Sequence, residues 1–264
     1  SDSTTYIPGK ALPLTQRLLF KSRYAIITPE APGLNVSRSI RDEELRTELT
    51  ALATEAMSGA DESLGLILRS ACEAALDDEV AEDIAQMRAL AEAVLADLTG
   101  GPELLVDAPG PHELAWRDWG DVDEVDDSPD ALDHCGALDQ IDALRLAEVA
   151  LEGGASMAIE PTRAFVAVDV NTGGDSSPAA GIKANVAAAR DLPRQLRLRG
   201  LGGQVVVDFA PMPKKDRGTL DQVLKAVFKG EGEVNLAGWT TLGLYEMTRK
   251  RDRLPLAALL EGGE

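Results

Sequence analysis

The chain has 264 residues, 44% of them hydrophobic and 27% charged, with a formal net charge of −19 at pH 7. At roughly 150 residues per domain this length allows about two domains, each with a real core. Such a composition excludes disordered and collagen-like chains, and no run approaches the ~20 apolar residues of a membrane helix.

In chain order, the apolar runs 23–27 (RYAII) and 64–68 (LGLIL) predict short buried strands. Between them, 41–57 opens acidic and carries apolar residues at helical spacing. A second helix is predicted over 75–98, with Ile84, Met87, Leu90, Ala91 and Leu95 on one face, and Gly100-Gly101-Pro102 ends it. Together these make a small α/β unit over 18–99. Residues 103–107 (ELLVD) predict a third strand, followed by a short helical piece and an acidic loop holding Asp121, Asp123, Glu124, Asp126, Asp127 and Asp130. That loop lacks the central Gly and terminal Glu of an EF-hand, so it reads as solvated rather than calcium-binding. Further on, 164–170 (AFVAVDV) and 204–209 (QVVVDF) flank a helical segment at 183–199. Strand, helix, strand at this spacing predicts a crossover joining two neighbouring parallel strands. A helix over 216–229 and a strand near 241–248 complete an α/β chain.

Charge and cysteines narrow the class. Residues 1–160 hold 11 Lys+Arg against 33 Asp+Glu, whereas residues 161–264 hold 15 against 12. A polyanion therefore finds its usable surface in the C-terminal part. Cys72 and Cys135 lie far apart, which excludes a disulfide scaffold, a CxxC redox pair and a cysteine-based zinc site within the chain, and fits a reducing cytoplasm. The opening Ser1-Asp2-Ser3, without Met, predicts a trimmed start.

Candidate chemistry begins with Asp169 in VAVDVN and Asp208 in VVVDFA, each late in its apolar strand. A carboxylate among Val and Phe is costly unless it meets a cation or several donors. Two of them on adjacent strands repel unless a cation lies between them. A Mg²⁺ held by one or two carboxylates, with most of its water retained, answers both problems and can activate water beside a phosphoryl group. Asn171 shares a strand face with Asp169 and can support the site. Spacing alone leaves open the alternative that each Asp simply ends its strand and caps the next turn. Arg194, Arg197 and Arg199 either face phosphates or flank the apolar positions of a helix. Lys214, Lys215 and Arg217 sit in a Pro-bounded loop that is either a backbone-binding patch or a solvated turn. His112 and His134 have no nearby second ligand in sequence. Trp116 and Trp119 read as packing residues rather than base-stacking ones, and Cys72 and Cys135 as ordinary buried or partly buried thiols.

FVAVDVNTGGD, followed by LPRQLRLRGLGGQVVVDF, resembles the catalytic core of the ribonuclease E/G family of bacterial endoribonucleases. The shared features are the D-[IV]-N strand end, the helix ending RQLRLR-x-LGG and the [VI]-D-F strand. Upstream, GLILRS (65–70) is similar to the family's 5′-end sensor and LNVSRSI (34–40) to its I-S-R-R-I stretch. The resemblance implies an exit from an oligonucleotide-binding barrel over 1–17, a 5′-sensor-like subdomain over 18–99, an RNase H-like part over 100–160 and a DNase I-like catalytic subdomain over 161–264. It also implies a Mg²⁺-dependent endoribonuclease that hydrolyses single-stranded RNA to 5′-phosphate and 3′-hydroxyl ends. In that scheme Asp169 and Asp208 are the metal ligands and Asn171 supports the attack. Arg69 and Ser70 hold a 5′-monophosphate, while Arg194, Arg197, Lys214 and Lys215 contact RNA. The partners implied are RNA, an upstream barrel and a second copy of the chain. This sequence departs from the family pattern in a shorter loop after Asn171, in Pro211 where a second aspartate is usual, and in lacking the barrel and the cysteine pair of the zinc link. Those departures keep a second expectation open, a non-catalytic RNA-binding relative of the same fold.

Overall fold

A computed structural model describes residues 16–119, 122–231, 233–251 and 253–261. The chain divides between residues 125 and 126 into two compact units. The expected barrel exit lies almost wholly outside the described residues, as does Asp121 of the acidic loop.

The first unit contains β1 (Phe20–Lys21), β2 (Ala25–Thr28), β3 (Gly33–Val36), α1 (Glu43–Ala56), β4 (Gly65–Leu68), α2 (Asp77–Ala96) and α3 (Pro111–Asp118). Its sheet runs β1-β2-β4-β3, with β2 antiparallel to β1 and β4, and β3 parallel to β4. Ala25, Ile27, Leu66 and Leu68 bury one core with Leu49 and Ala53 of α1 and Val80, Ile84 and Ala91 of α2. Each fully buried Leu or Ile here contributes roughly 1.5–3 kcal/mol. Asp42 caps α1 by accepting from the N–H groups of Glu44 and Leu45. At the other end of α1, Arg88 of α2 donates to the carbonyls of Ala56 and Ser58, which the helix itself leaves unpaired. The strand predicted at 103–107 does not form, and Leu104, Leu105 and Val106 are exposed. An apolar run becomes a strand only where a neighbour accepts its backbone bonds, and residues 103–107 pair with no strand among the described residues.

The second unit contains α4 (Ala131–His134), α5 (Ala137–Arg145), β5 (Glu148–Ala150), β6 (Ser156–Pro161), β7 (Val166–Asn171), α6 (Ala180–Leu198), β8 (Gly203–Asp208), α7 (Arg217–Val227), β9 (Val234–Trp239), β10 (Tyr245–Arg249) and α8 (Leu256–Glu261). Its sheet runs β5-β6-β7-β8-β10-β9, and only the β7–β8 pair is parallel. The predicted crossover is therefore present, with α6 as its helix. Val168, Val170, Val205, Val207, Tyr245 and Met247 form the buried sheet face, covered by Ala184, Ala188, Leu192 and Leu196 of α6 and by Leu220 and Leu224 of α7. Pro193 sits inside α6 and removes one helical hydrogen bond, but it is buried between Leu192 and Leu196, so packing carries the helix across it. Alternation places Asp169, Asn171, Gln204 and Asp208, all exposed, on the opposite face.

Across the boundary expected at 160/161, β6 pairs with β7 over six residues, and the division into two compact units falls at 125/126, inside the stretch 100–160. The short β5, β6 and β9 were not predicted; their large apolar residues (Val149; Met157 and Ile159; Val234, Leu236 and Trp239) are interrupted by small or polar ones and make no continuous apolar run. Among the described residues no helix is long and apolar enough to cross a membrane.

Candidate active site

The four β7–β8 register pairs begin at Val166↔Val205 and end at Asp169↔Asp208. The two aspartates are thus neighbours on adjacent parallel strands, on one face, with strand axes about 4.8 Å apart. Both side chains are exposed. Burial among Val and Phe was the expected reason for a cation, and it does not hold, because the apolar neighbours point to the opposite face. What remains is the mutual repulsion of two carboxylates, and among the described residues neither has an ion-pair partner. Asp169 accepts one hydrogen bond, from Asn171 Nδ2 at 2.8 Å, which fixes its orientation. Ala158 lies opposite Asp169 on β6 and leaves that flank clear. Two oxygen donors side by side, open to water and lacking a basic partner, fit a hard divalent cation.

The segment after Asp208 is held from inside. Asn185 of α6 is fully buried; its Nδ2 donates to Ala210 O at 2.9 Å and its Oδ1 accepts from Ala210 N–H at 2.8 Å. Gly181, one turn earlier on α6, lies where a Cβ would meet Pro211 O at 2.1 Å. The carbonyl of Pro211, the departure from the family pattern, therefore lies close against the start of α6. Phe209 joins Trp239 and Tyr245 in an aromatic cluster with ring centroids 5.2–6.1 Å apart. The short loop after Asn171 is closed by Asp175, which accepts from Ser177 N–H and from Lys183 Nζ. Sequence reasoning missed Asn185; its one visible signal was an amide amid the alanines of an amphipathic helix.

The basic residues separate into two groups. Lys214 and Lys215 are exposed in a 3-10 turn (Lys214–Asp216) and have no partner among the described residues. Arg194 pairs with Asp191, Arg197 with Glu231, and Arg199 is buried, donating to Leu146 O and Gln195 Oε1. Arg199 is thus a structural tie, and of the exposed arginines of α6 Arg194 and Arg197 carry acidic partners, while Arg190 pairs with no acid among the described residues. Arg217 lies over the Trp239 ring, 4.3 Å from its centroid, instead of facing solvent.

In the first unit Arg69 is committed to protein acceptors. Its Nη1 donates to the carbonyls of Ser22, Arg23 and Arg117, and its Nη2 pairs with Asp118 at 2.8 Å. Lys21 and Arg117 also pair with Asp118, at 3.1 and 3.0 Å. Partial burial pulls the Asp118 carboxyl upward, but hydrogen bonds from Arg117, Lys21 and Arg69 outweigh it and hold the group well below the usual range. Three cations thus surround one internal anion. Ser70 is exposed at the start of a 3-10 turn (Ser70–Ala74). In this structure the Arg69 fork, expected to face a phosphate, is paired with Asp118.

The remaining readings resolve as follows. His134 has partners after all: its Nε2 lies 2.6 Å from Asp126 Oδ2, and Cys135 Sγ is 3.8 Å from the same oxygen. These exposed groups lie within 4.8 Å of one another but number three, one short of a closed structural zinc site. Cys135 is exposed rather than buried. Cys72 is buried, and that burial pushes its thiol up to about 11, which keeps it inert. Trp116 and Trp119 are 42% and 66% exposed, so neither is a core residue.

The model of the "Ribonuclease E/G family" matches residues 20–125 and 120–252. The chain is 28% identical to Ribonuclease G of Salmonella typhimurium, over 92% of this chain and 57% of that protein. It is 29% identical to Ribonuclease G of Haemophilus influenzae, over 95% and 58%, and 31% identical to Ribonuclease E of Nostoc sp., over 90% and 40%. The chain spans little more than half the length of the ribonucleases G it matches, and less of the ribonuclease E.

Proposed function

Because the chain belongs to the ribonuclease E/G family, we propose that it is an endoribonuclease module that hydrolyses single-stranded RNA at Asp169 and Asp208 with Mg²⁺, in a reducing cytoplasm. The observation that carries this reading is the register pair of exposed carboxylates with no cationic partner among the described residues. Both aspartates would hold the metal, and Asn171 fixes the Asp169 carboxylate through its amide. When bound, Mg²⁺ supplies water activation and charge stabilisation at a phosphoryl oxygen. The open sheet face admits an RNA backbone beside the aspartates, and Lys214 and Lys215, six and seven residues past Asp208, supply positive charge for its phosphates. No protein nucleophile is needed, and the ends left are 5′-phosphate and 3′-hydroxyl. The test is cleavage of a labelled AU-rich single strand by the full chain in Mg²⁺ and in EDTA. Cutting in Mg²⁺ alone is expected; binding without cutting in both would favour the non-catalytic relative that Pro211 brings to mind.

A 5′-monophosphate pocket at Arg69 and Ser70 forms part of the same reading, with Asp118 as the anion that an incoming phosphate displaces. A charge-assisted hydrogen bond contributes about 1.5–3 kcal/mol, so Asp118→Ala is expected to raise the preference for 5′-monophosphorylated over 5′-hydroxyl RNA about tenfold. Arg69→Lys is expected to erase that preference, since an ammonium cannot reproduce the planar fork. Paired rate measurements on the two substrates decide it. Unchanged discrimination in both variants makes Arg69 a purely structural residue.

A further inference from the structure

The glycines of RGLGG after α6 build a second feature at the end of β7 and β8 away from the aspartates. Gly200 (φ +63) lies where a Cβ would meet Leu254 O at 2.2 Å, and one on Gly202 would meet Lys250 O at 2.7 Å. A Cβ on Gly203 (φ +92) would strike the Arg251 guanidinium at 2.2 Å. These three positions form a bare backbone shelf on which the segment after β10 lies. Arg249 Nη1 donates to Leu201 O at 2.9 Å and Leu256 N–H to Arg199 O at 3.0 Å, fastening both ends of that segment. Across from the shelf, Thr162 locks the β6–β7 turn. Its Oγ1 donates to Phe165 O at 2.7 Å and accepts from the N–H groups of Ala164 and Phe165.

Between shelf and turn lies a cleft of about 100 Å³ lined by Arg163, Arg251 and Arg253, with Phe165, Val166 and Leu201 among its apolar walls. A water molecule takes about 30 Å³ of liquid, so the space suits one phosphate group with a little water. In a chain of net charge −19, none of the three arginines has a hydrogen bond or ion pair among the described residues. Arg88, Arg117, Arg145, Arg194 and Arg197 each pair with an acid, and what sets Arg163, Arg251 and Arg253 apart is that the three line one cleft. Three unspent guanidiniums on a prebuilt backbone frame are donors for an anion, and the fork geometry suits phosphate oxygens.

We propose that this cleft binds a backbone phosphate of the RNA strand, as an anchoring point separate from the metal site. The inference rests on the reading of the chain as RNA-binding. Three residues separate Val166, at the cleft, from Asp169, a strand distance of about 10 Å, so one strand can engage both. The cleft acts on affinity and register, while the aspartates act on the bond.

The experiment is a salt titration of binding by the full chain, read as fluorescence anisotropy of a labelled 5′-hydroxyl single-stranded RNA in EDTA. Neither the metal nor a terminal phosphate then contributes. Arg163→Gln/Arg253→Gln is expected to lower the slope of log K against log salt by about 0.7, the value for one phosphate contact on a single strand, and to weaken binding about tenfold at low salt. Arg251→Lys, which keeps its charge, is expected to keep most of the slope and so separates charge loss from damage to the shelf. A melting curve on each variant verifies the fold. An unchanged slope in a folded double variant overturns the proposal, as does protection of the cleft by inorganic phosphate with no effect on RNA. Because cleavage is not measured, an unchanged slope beside loss of cutting in the aspartate variants removes the cleft and leaves the active-site reading standing.

Discussion

Replacing Asp169 or Asp208 by Asn is expected to lower Mg²⁺-dependent cleavage at least a thousandfold, about 4 kcal/mol of barrier, without unfolding the protein. The fold is spared because both side chains are exposed at strand ends, and neither carries an ion pair among the described residues that its loss would break. Exposed substitutions of this kind usually change stability by about 0.5 kcal/mol or less. Asn is nearly isosteric with Asp and differs mainly in charge, so the variant removes electrostatic affinity for a hard cation while leaving strand register in place. The measurement is single-turnover cleavage across a Mg²⁺ titration, with thermal melting alongside. A double Asn variant that cuts at the normal Mg²⁺-dependent rate would remove the assignment.

The second large effect is expected at Asn185, a positioning residue remote from solvent. Asn185→Leu leaves both the N–H and the carbonyl of Ala210 without the partners they now have at 2.8 and 2.9 Å. Each buried group left unsatisfied costs about 1–3 kcal/mol, so a loss of about 2–6 kcal/mol in urea unfolding is expected. Ala210 follows Asp208 by two residues, and freeing it loosens the strand end that aims the carboxylate. The folded fraction is therefore expected to need more Mg²⁺ for half-maximal cleavage, a shift that a general loss of stability does not produce. Stability within about 0.5 kcal/mol of the parent, together with an unchanged Mg²⁺ requirement, would show that the clamp carries neither role. Asn185→Asp is a sharper version, since it keeps the acceptor for Ala210 N–H, removes the donor and buries a charge.

Both residues sit on one crossover, yet only one was legible in advance, and the difference is instructive. β7, α6 and β8 follow one another in the chain, and their apolar periodicities are strong. The sequence alone was therefore enough to place Asp169 and Asp208 at the ends of neighbouring parallel strands, and Asn171 two residues on. Side-chain alternation is local, and so is the family motif that covers the same residues. Tertiary structure decided what depends on contacts between distant segments. It put Asp169 and Asp208 in register on the exposed face, where mutual repulsion rather than burial supports the proposal of a cation. It turned Asn185 inward onto Ala210, gave Arg194 and Arg197 acidic partners, and set Asp118 against Arg69. It also joined β5 and β6 to the sheet that a reading by segments had cut at residue 161. A hydrogen bond or ion pair between residues dozens of positions apart leaves no periodic trace in either stretch, because its partner is chosen by packing and not by spacing. The same holds for the glycine shelf: RGLGG could be read as a motif, but only the fold shows the carbonyls of Lys250 and Leu254 and the Arg251 guanidinium lying where side chains would stand.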